Sequence, residues 1–328
     1  MRQARAAAKA DRCLLCGKQL TRFCNSHSVP QFALKNIAEN GKVIISSIVS
    51  GSEAIDINTG INKAGTFQLI CDECDNTFFQ DYEAPEKLQG NITDKILAEI
   101  AIKNFLLYIH RKNIANEFYK IWQRKKHFFL NPEDLYATNE FDINDLTQNM
   151  NYHRDIVRNA ITGGYQLIHY EILPYIIPLA FQGAMALDKD LDGIEVNDLH
   201  YFTDIKTRVQ YLHICALPIG EVSCIIMFYH KRDKKYRNLW HQFNCISDTK
   251  KIEYINYLVF KYSENYFVSP KIQSEIETNN KLIQLAREEN GRPDFGLCIE
   301  ENSYGKNYIP IAMNEIPNFL SRELALNK

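Results

Sequence analysis

Four of the nine cysteines in this chain fall into two Cys-x-x-Cys pairs, Cys13-Leu-Leu-Cys16 and Cys71-Asp-Glu-Cys74. Two intervening residues let both thiolates of a pair reach one ion from a tight turn. Two such turns supply the four sulfurs of a tetrahedral structural Zn²⁺ site. Gly17 follows the first pair, where the chain must turn with its amides facing the sulfurs. The stretch from Cys16 to Cys71 is long, so the metal would close a large loop and stabilise a segment short of apolar residues. Cys24 opens a second assignment. Cys13, Cys16, Cys24 and His27 make a local Cys₃His set, which would consume His27 and leave Cys71 and Cys74 unexplained. The four-cysteine set uses both pairs and is the expectation here. Ordinary buried thiols are the reading without a metal.

His27 lies between the pairs in Ser26-His27-Ser28-Val29-Pro30, and Asp75-Asn76 follows the second pair directly. This order of Cys-x-x-Cys, His-x-x-Pro and Cys-x-x-Cys resembles the HNH endonucleases, the zinc-bearing branch of the ββα-metal nuclease fold. The matching positions are Cys13, Cys16, Ser26, His27, Pro30, Cys71, Cys74, Asp75 and Asn76. The resemblance implies a zinc-stapled ββα-metal, treble-clef-like module that hydrolyses DNA phosphodiester bonds. It implies that His27 is the general base, suited to that role as a neutral imidazole near pH 7. It also implies one Mg²⁺ or Mn²⁺ ion at the scissile phosphate, held from the start of the next helix by Asp75 and Asn76. Fusions of this kind resemble restriction and anti-phage nucleases, in which a partner ATPase or sensor licenses cutting.

Three positions depart from the family pattern. Ser26 stands where many members carry Asp or His. The middle Asn has no counterpart in Gly65–Ile70, and Asn62 lies further back. Asp75 stands where His is common. Glu83 would lie two turns beyond Asp75 on the same helix face, as a further carboxylate or as a solvated residue. The alternative function is a zinc-binding scaffold, or a nucleic-acid-binding protein, whose catalytic set has decayed.

The charge pattern bears on the partner. The formal net charge is −2, which exerts no global pull toward nucleic acid. Residues 1–35, however, carry Arg2, Arg5, Lys9, Arg12, Lys18, Arg22 and Lys35 against Asp11 alone. A second basic run, Lys231 to Arg237, leads into Trp240 and His241. Cations with interleaved aromatics suit phosphates and bases, or a solvated turn. Residues 71–86 carry six acidic side chains and no Lys or Arg, which mildly favours a bound cation there. The N-terminus lacks an apolar leader, and the run Ile172–Leu187 is interrupted by Pro174, Pro178, Gln182 and Gly183. A cytoplasmic, reduced protein without a membrane span is expected.

The elements that must position these residues read as α+β. A module over residues 1–90 precedes a larger α+β domain over 91–328, helical over 93–162, β-rich over 166–230 and helical over 247–289. Lys42–Ser50 reads as a strand and Asp75–Glu83 as a helix. Thr93 caps a helix through Tyr108; further helices span Ile114–Phe129, a short stretch after Pro132, and Leu146–Ile161. Gln166–Leu173 alternates as a strand. Val209–Leu217 and Glu221–Tyr229 flank a turn as a hairpin. Ser247 caps a helix through Tyr262, and Pro270–Glu289 reads as the last helix. The eight histidines other than His27 lack ligand spacing and read as core or surface residues.

Overall fold

The computed structural model describes residues 2–20, 22, 24–45, 59–123, 132–198, 208–263, 265–287 and 311–327. The strands are β1 (Ser26–His27), β2 (Lys42–Ile45), β3 (Thr59–Gly60), β4 (Thr66–Phe67), β5 (Tyr165–Leu173), β6 (Leu179–Met185), β7 (Leu212–Ile219), β8 (Val222–His230) and β9 (Tyr266–Val268). The helices are α1 (Arg2–Ala7), α2 (Gln31–Ile37), α3 (Asp72–Phe78), α4 (Pro85–Leu88), α5 (Asp94–Gln123), α6 (Pro132–Arg158), α7 (Tyr236–Cys245), α8 (Asp248–Tyr262), α9 (Gln273–Glu277) and α10 (Asn280–Arg287). The fold is therefore mixed helix and sheet, as the sequence pattern implies.

A seven-stranded antiparallel sheet runs in the order β3-β2-β9-β6-β7-β8-β5. Its central strands are covered on both faces. Along β7, Cys215 and Leu217 join a core shared with α5 and the N-terminal residues, while Ile214 and Ala216 join a second core with α7, α8 and α10. The alternation follows from side chains pointing to opposite faces of a strand. The first core runs without interruption from Cys13 through Phe67 and Tyr82 to Ile100, Phe105 and Phe228. Together with the β2–β9 pairing, it joins residues on either side of position 90.

β1 and β4 form a separate two-stranded ribbon, with Ser26 opposite Phe67 and His27 opposite Thr66. Gly65 seats this ribbon on the sheet. Its φ is +62°, and a Cβ there would lie 2.5 Å from the Phe267 ring and 2.6 Å from Ser28 Oγ. Only glycine tolerates both the left-handed backbone and that approach. Ser28 Oγ also donates to Asn265 Oδ1 at 2.8 Å, so the ribbon is tied to β9 by both packing and a hydrogen bond.

The structure corrects several element boundaries. Residues 94–123 form one helix, where the sequence reading has two, and residues 132–158 likewise form one. Beyond Pro132 at its first position, neither contains Gly or Pro, so nothing breaks the backbone ladder. The two helices pack with a polar seam: Lys112 Nζ donates to Asp142 at 2.6 Å, and Asn139 donates to the Lys112 carbonyl at 2.9 Å. α3 stops at Phe78, so Glu83 is not on the same helix as Asp75. The final helical stretch is broken at Thr278-Asn279, between α9 and α10. β6 takes most of the apolar run that the sequence reading used only to exclude a membrane span; all seven of its residues are buried.

Other elements match their sequence signals. Thr93 Oγ1 accepts from Ile96 N at 3.3 Å, and the Ser247 side chain caps α8. The hairpin turn falls at Gly220-Glu221, with Gly220 at φ +60°. The strand expected from Lys42 is seen to Ile45; residues 46–50 lie outside the described residues. Among the described residues, no helix is long and apolar enough to cross a membrane.

Candidate metal centre and the adjoining histidine site

The two cysteine pairs converge. The Sγ atoms of Cys13, Cys16, Cys71 and Cys74 all lie within 4.8 Å of one another, and Cys16 and Cys71 are 3.9 Å apart. Four sulfurs at tetrahedral zinc, with Zn–S near 2.3 Å, stand about 3.8 Å apart. The first pair sits on a knuckle closed by Gly17 N donating to Cys13 O at 2.8 Å, with Gly17 at φ +76°. The second pair opens α3. Cys71 is the N-cap and accepts from Cys74 N at 3.5 Å, while Cys71 N points at Cys13 Sγ at 3.4 Å. Backbone amides and the helix N-terminus thus face the sulfurs, which favours thiolates. Burial pushes the Cys13 and Cys74 thiols up. A bound zinc ion offsets that cost by ionising them. The cluster fits zinc in both donor type and spacing.

The local Cys₃His alternative is not assembled. Cys24 Sγ donates to Asp75 Oδ2 at 3.2 Å instead. His27 is directed elsewhere too. Its Nε2 lies 3.0 Å from the Ile61 carbonyl oxygen. A carbonyl can only accept, so Nε2 carries the proton and the neutral ring keeps its lone pair on Nδ1. Burial holds the imidazole below the ordinary histidine range, against the opposing pull of the Ile61 carbonyl. The ring is therefore neutral at pH 7, with its tautomer set by main chain. Asn62, next to Ile61, accepts from Gln31 at 2.9 Å.

Behind His27 lies a polar cage. The Lys103 ammonium is fully enclosed and stands 2.7 Å from Ser26 Oγ, 2.8 Å from Asp75 Oδ1 and 2.9 Å from Glu83 Oε1. Ser26 Oγ in turn donates to Asp75 Oδ1 at 2.6 Å. The Phe79 ring covers the ammonium at 4.2 Å, a favourable cation–π distance. Asp75 is held below the usual carboxylate range: burial would raise it, but Lys103, Ser26 and Cys24 prevail. Asn76, the next residue along α3, is exposed. The structure thus gathers Ser26, Asp75 and Glu83 around Lys103, with His27 close enough to feel the charges of all three ionised groups. Asn76 does not join them.

No family model, no curated protein and no solved structure matches the chain.

The sequence reading omits Lys103. Its signal was present: Lys103 recurs at helical spacing with Ile96, Ile100 and Leu107, on the buried face of α5. A charge on such a face needs a partner. The basic run 231–237 is divided. Lys234, Lys235 and Arg237 are exposed, while Arg232 lies over the Tyr152 ring at 3.9 Å and Asp233 is buried. At the N-terminal end, Lys18 and Arg22 pair with Glu73 and Asp72 at 2.7 and 3.2 Å, in exposed contacts worth little. His153, His213 and His230 pack edge-on and stacked among Phe105, Tyr165 and Phe228 as core residues. Among the described residues, the cysteine cluster is the one group with ligand spacing.

Proposed function

We propose that this chain is a zinc-stapled, HNH-like endonuclease that hydrolyses nucleic-acid phosphodiester bonds, with His27 as the general base. One observation carries the reading: Nε2 of His27 is committed to the Ile61 carbonyl, which leaves the Nδ1 lone pair available to a water molecule. In the reaction, Nδ1 removes the proton as the water oxygen forms its bond to phosphorus. The phosphorus–oxygen bond to the leaving nucleotide breaks, and that oxygen takes up a proton. The order of elements adds support: a zinc knuckle, a ribbon strand bearing His27, and a helix opening at the second cysteine pair. DNA is the substrate the resemblance implies, and an antiviral role with a partner ATPase or sensor is an extension of the same analogy.

The Mg²⁺ or Mn²⁺ ion of that resemblance does not fit the residues as they stand. Asp75 is occupied by Lys103, Ser26 stands where the family pattern has Asp or His, and Asn76 is exposed. No step is therefore routed through a divalent ion. The same filled cage favours a second reading, a zinc-stapled nucleic-acid-binding scaffold without catalysis. Plasmid nicking by the zinc-loaded protein separates the two. The nuclease reading expects His27→Ala to retain zinc and fold while losing about 10²- to 10⁴-fold in rate, the usual contribution of a general base. Equal nicking by wild type and His27→Ala would refute it. Tight DNA binding without nicking would favour the scaffold.

A further inference from the structure

The acidic residues after Cys71 raise the question of which cation they serve. An external divalent ion is one answer. The other is an ammonium of the protein itself. An ammonium has three N–H donors, and Lys103 has three oxygen acceptors at 2.7 to 2.9 Å, one each from Ser26, Asp75 and Glu83. Its donors are thus all used. Phe79 covers it, and the side chain has no solvent exposure. Mg²⁺ would need oxygens at about 2.0–2.1 Å and several retained waters. Neither is compatible with an ammonium in the same cage. Two of the cage residues, Ser26 and Asp75, are also the positions from which the HNH pattern would hold its ion. At position 26 this chain thus presents a hydroxyl to an amine, where the HNH pattern would present a ligand to a metal.

We propose that Lys103 is the resident cation of this site: its ammonium takes the place of a divalent ion between Ser26, Asp75 and Glu83 and makes the centre independent of divalent metal. The meaning of the cage rests on the HNH-like reading above, but its occupancy does not. Enclosed as it is, Lys103 does not reach a phosphate. It is a positioning residue, which fixes Ser26 and through it the strand that carries His27.

The test is a Mn²⁺ titration of the zinc-loaded full chain, read by the paramagnetic resonance of free Mn²⁺, without nucleic acid. Wild type is expected to take up no Mn²⁺ that depends on Asp75. Lys103→Met is expected to gain one Mn²⁺ per chain, and the added change Asp75→Asn to remove it. Should Lys103→Met fail to fold, Lys103→Gln keeps a polar head in the cage without the charge and gives the same readout. A Mn²⁺ ion bound by wild type and lost in Asp75→Asn would overturn the proposal. So would a folded, zinc-loaded Lys103 variant that binds none. The titration needs no substrate, so absence of nicking would end the nuclease reading and leave this result standing.

Discussion

Two cation sites share the first turn of α3, and they are built in opposite ways. At Cys71 and Cys74 the helix contributes sulfurs that meet two more from the knuckle, all within 4.8 Å of one another. One residue further, Asp75 contributes an oxygen that meets Ser26 and Glu83, and the protein's own Lys103 fills the space. The first arrangement gains from an ion taken from solution; the second is complete without one. The contrast shows why acidic residues alone do not make a metal site. What matters is whether the fold has already supplied the countercharge. α5 repeats the second device farther along, where the fully buried Lys112 meets Asp142 at 2.6 Å.

The sharpest way to break this contrast is to remove the external ion. Cys71→Ser should lose zinc and with it the folded state of the N-terminal segment, because structural zinc supplies about 10–16 kcal/mol of apparent binding free energy in small zinc modules. Metal analysis with thermal unfolding reads this; an unchanged melting temperature would mean that the sulfurs hold no stabilising metal. Next comes the internal cation. Lys103→Met leaves Asp75 and Glu83, 18% and 37% exposed, side by side without their countercharge and should cost about 1–3 kcal/mol in urea unfolding. Added Mn²⁺ should return part of that loss. Lys112→Met leaves a single carboxylate, Asp142, with no second carboxylate from the same cage beside it, so its cost should be smaller. Equal costs would erase the distinction between a cage of two carboxylates and a single ion pair.

Glu99 offers the converse case, a carboxylate more deeply buried than its cation, Lys95. It is fully buried, accepts from Tyr82 N at 2.8 Å, and has Lys95 no nearer than 3.6 Å. Burial pushes its carboxyl up to about 7 from an ordinary 4.5. The folded state therefore holds this proton more tightly than the unfolded chain. Its effect is neutral below about pH 4.5, destabilising as pH rises toward 7, and constant above. Glu99→Gln should stabilise the protein by about 3 kcal/mol at pH 8 and by almost nothing at pH 4. Denaturation at the two pH values reads the difference, and a gain at both would mean that ionisation is not its cause. The smallest effect is expected at the start of the same helix: Thr93→Ala removes the cap on Ile96 N and should cost about 1 kcal/mol.

Much of this was legible in the sequence, for identifiable reasons. The cysteine pairs were visible because ligand spacing is local to each turn, and their convergence followed from needing four donors. Thr93, Ser247 and the β7–β8 hairpin were visible because caps and tight turns are also local. Lys103 was not, since its meaning depends on three partners 77, 28 and 20 residues away. Glu83 was misplaced because helix propensity through residue 83 does not announce the stop at Phe78. β6 was hidden because a strand buried on both faces loses the alternation that marks a strand. The tautomer of His27 depends on a carbonyl brought to it by the fold, and no residue type encodes that.

The two sites differ, then, in whether the cation is imported or built in. An anomalous-scattering map of a crystal soaked in Mn²⁺ tests it most directly. A zinc-edge peak should appear among Cys13, Cys16, Cys71 and Cys74, and no manganese peak between Ser26, Asp75 and Glu83. A manganese peak in that cage with the Lys103 side chain displaced, or no zinc among the four sulfurs, would contradict it.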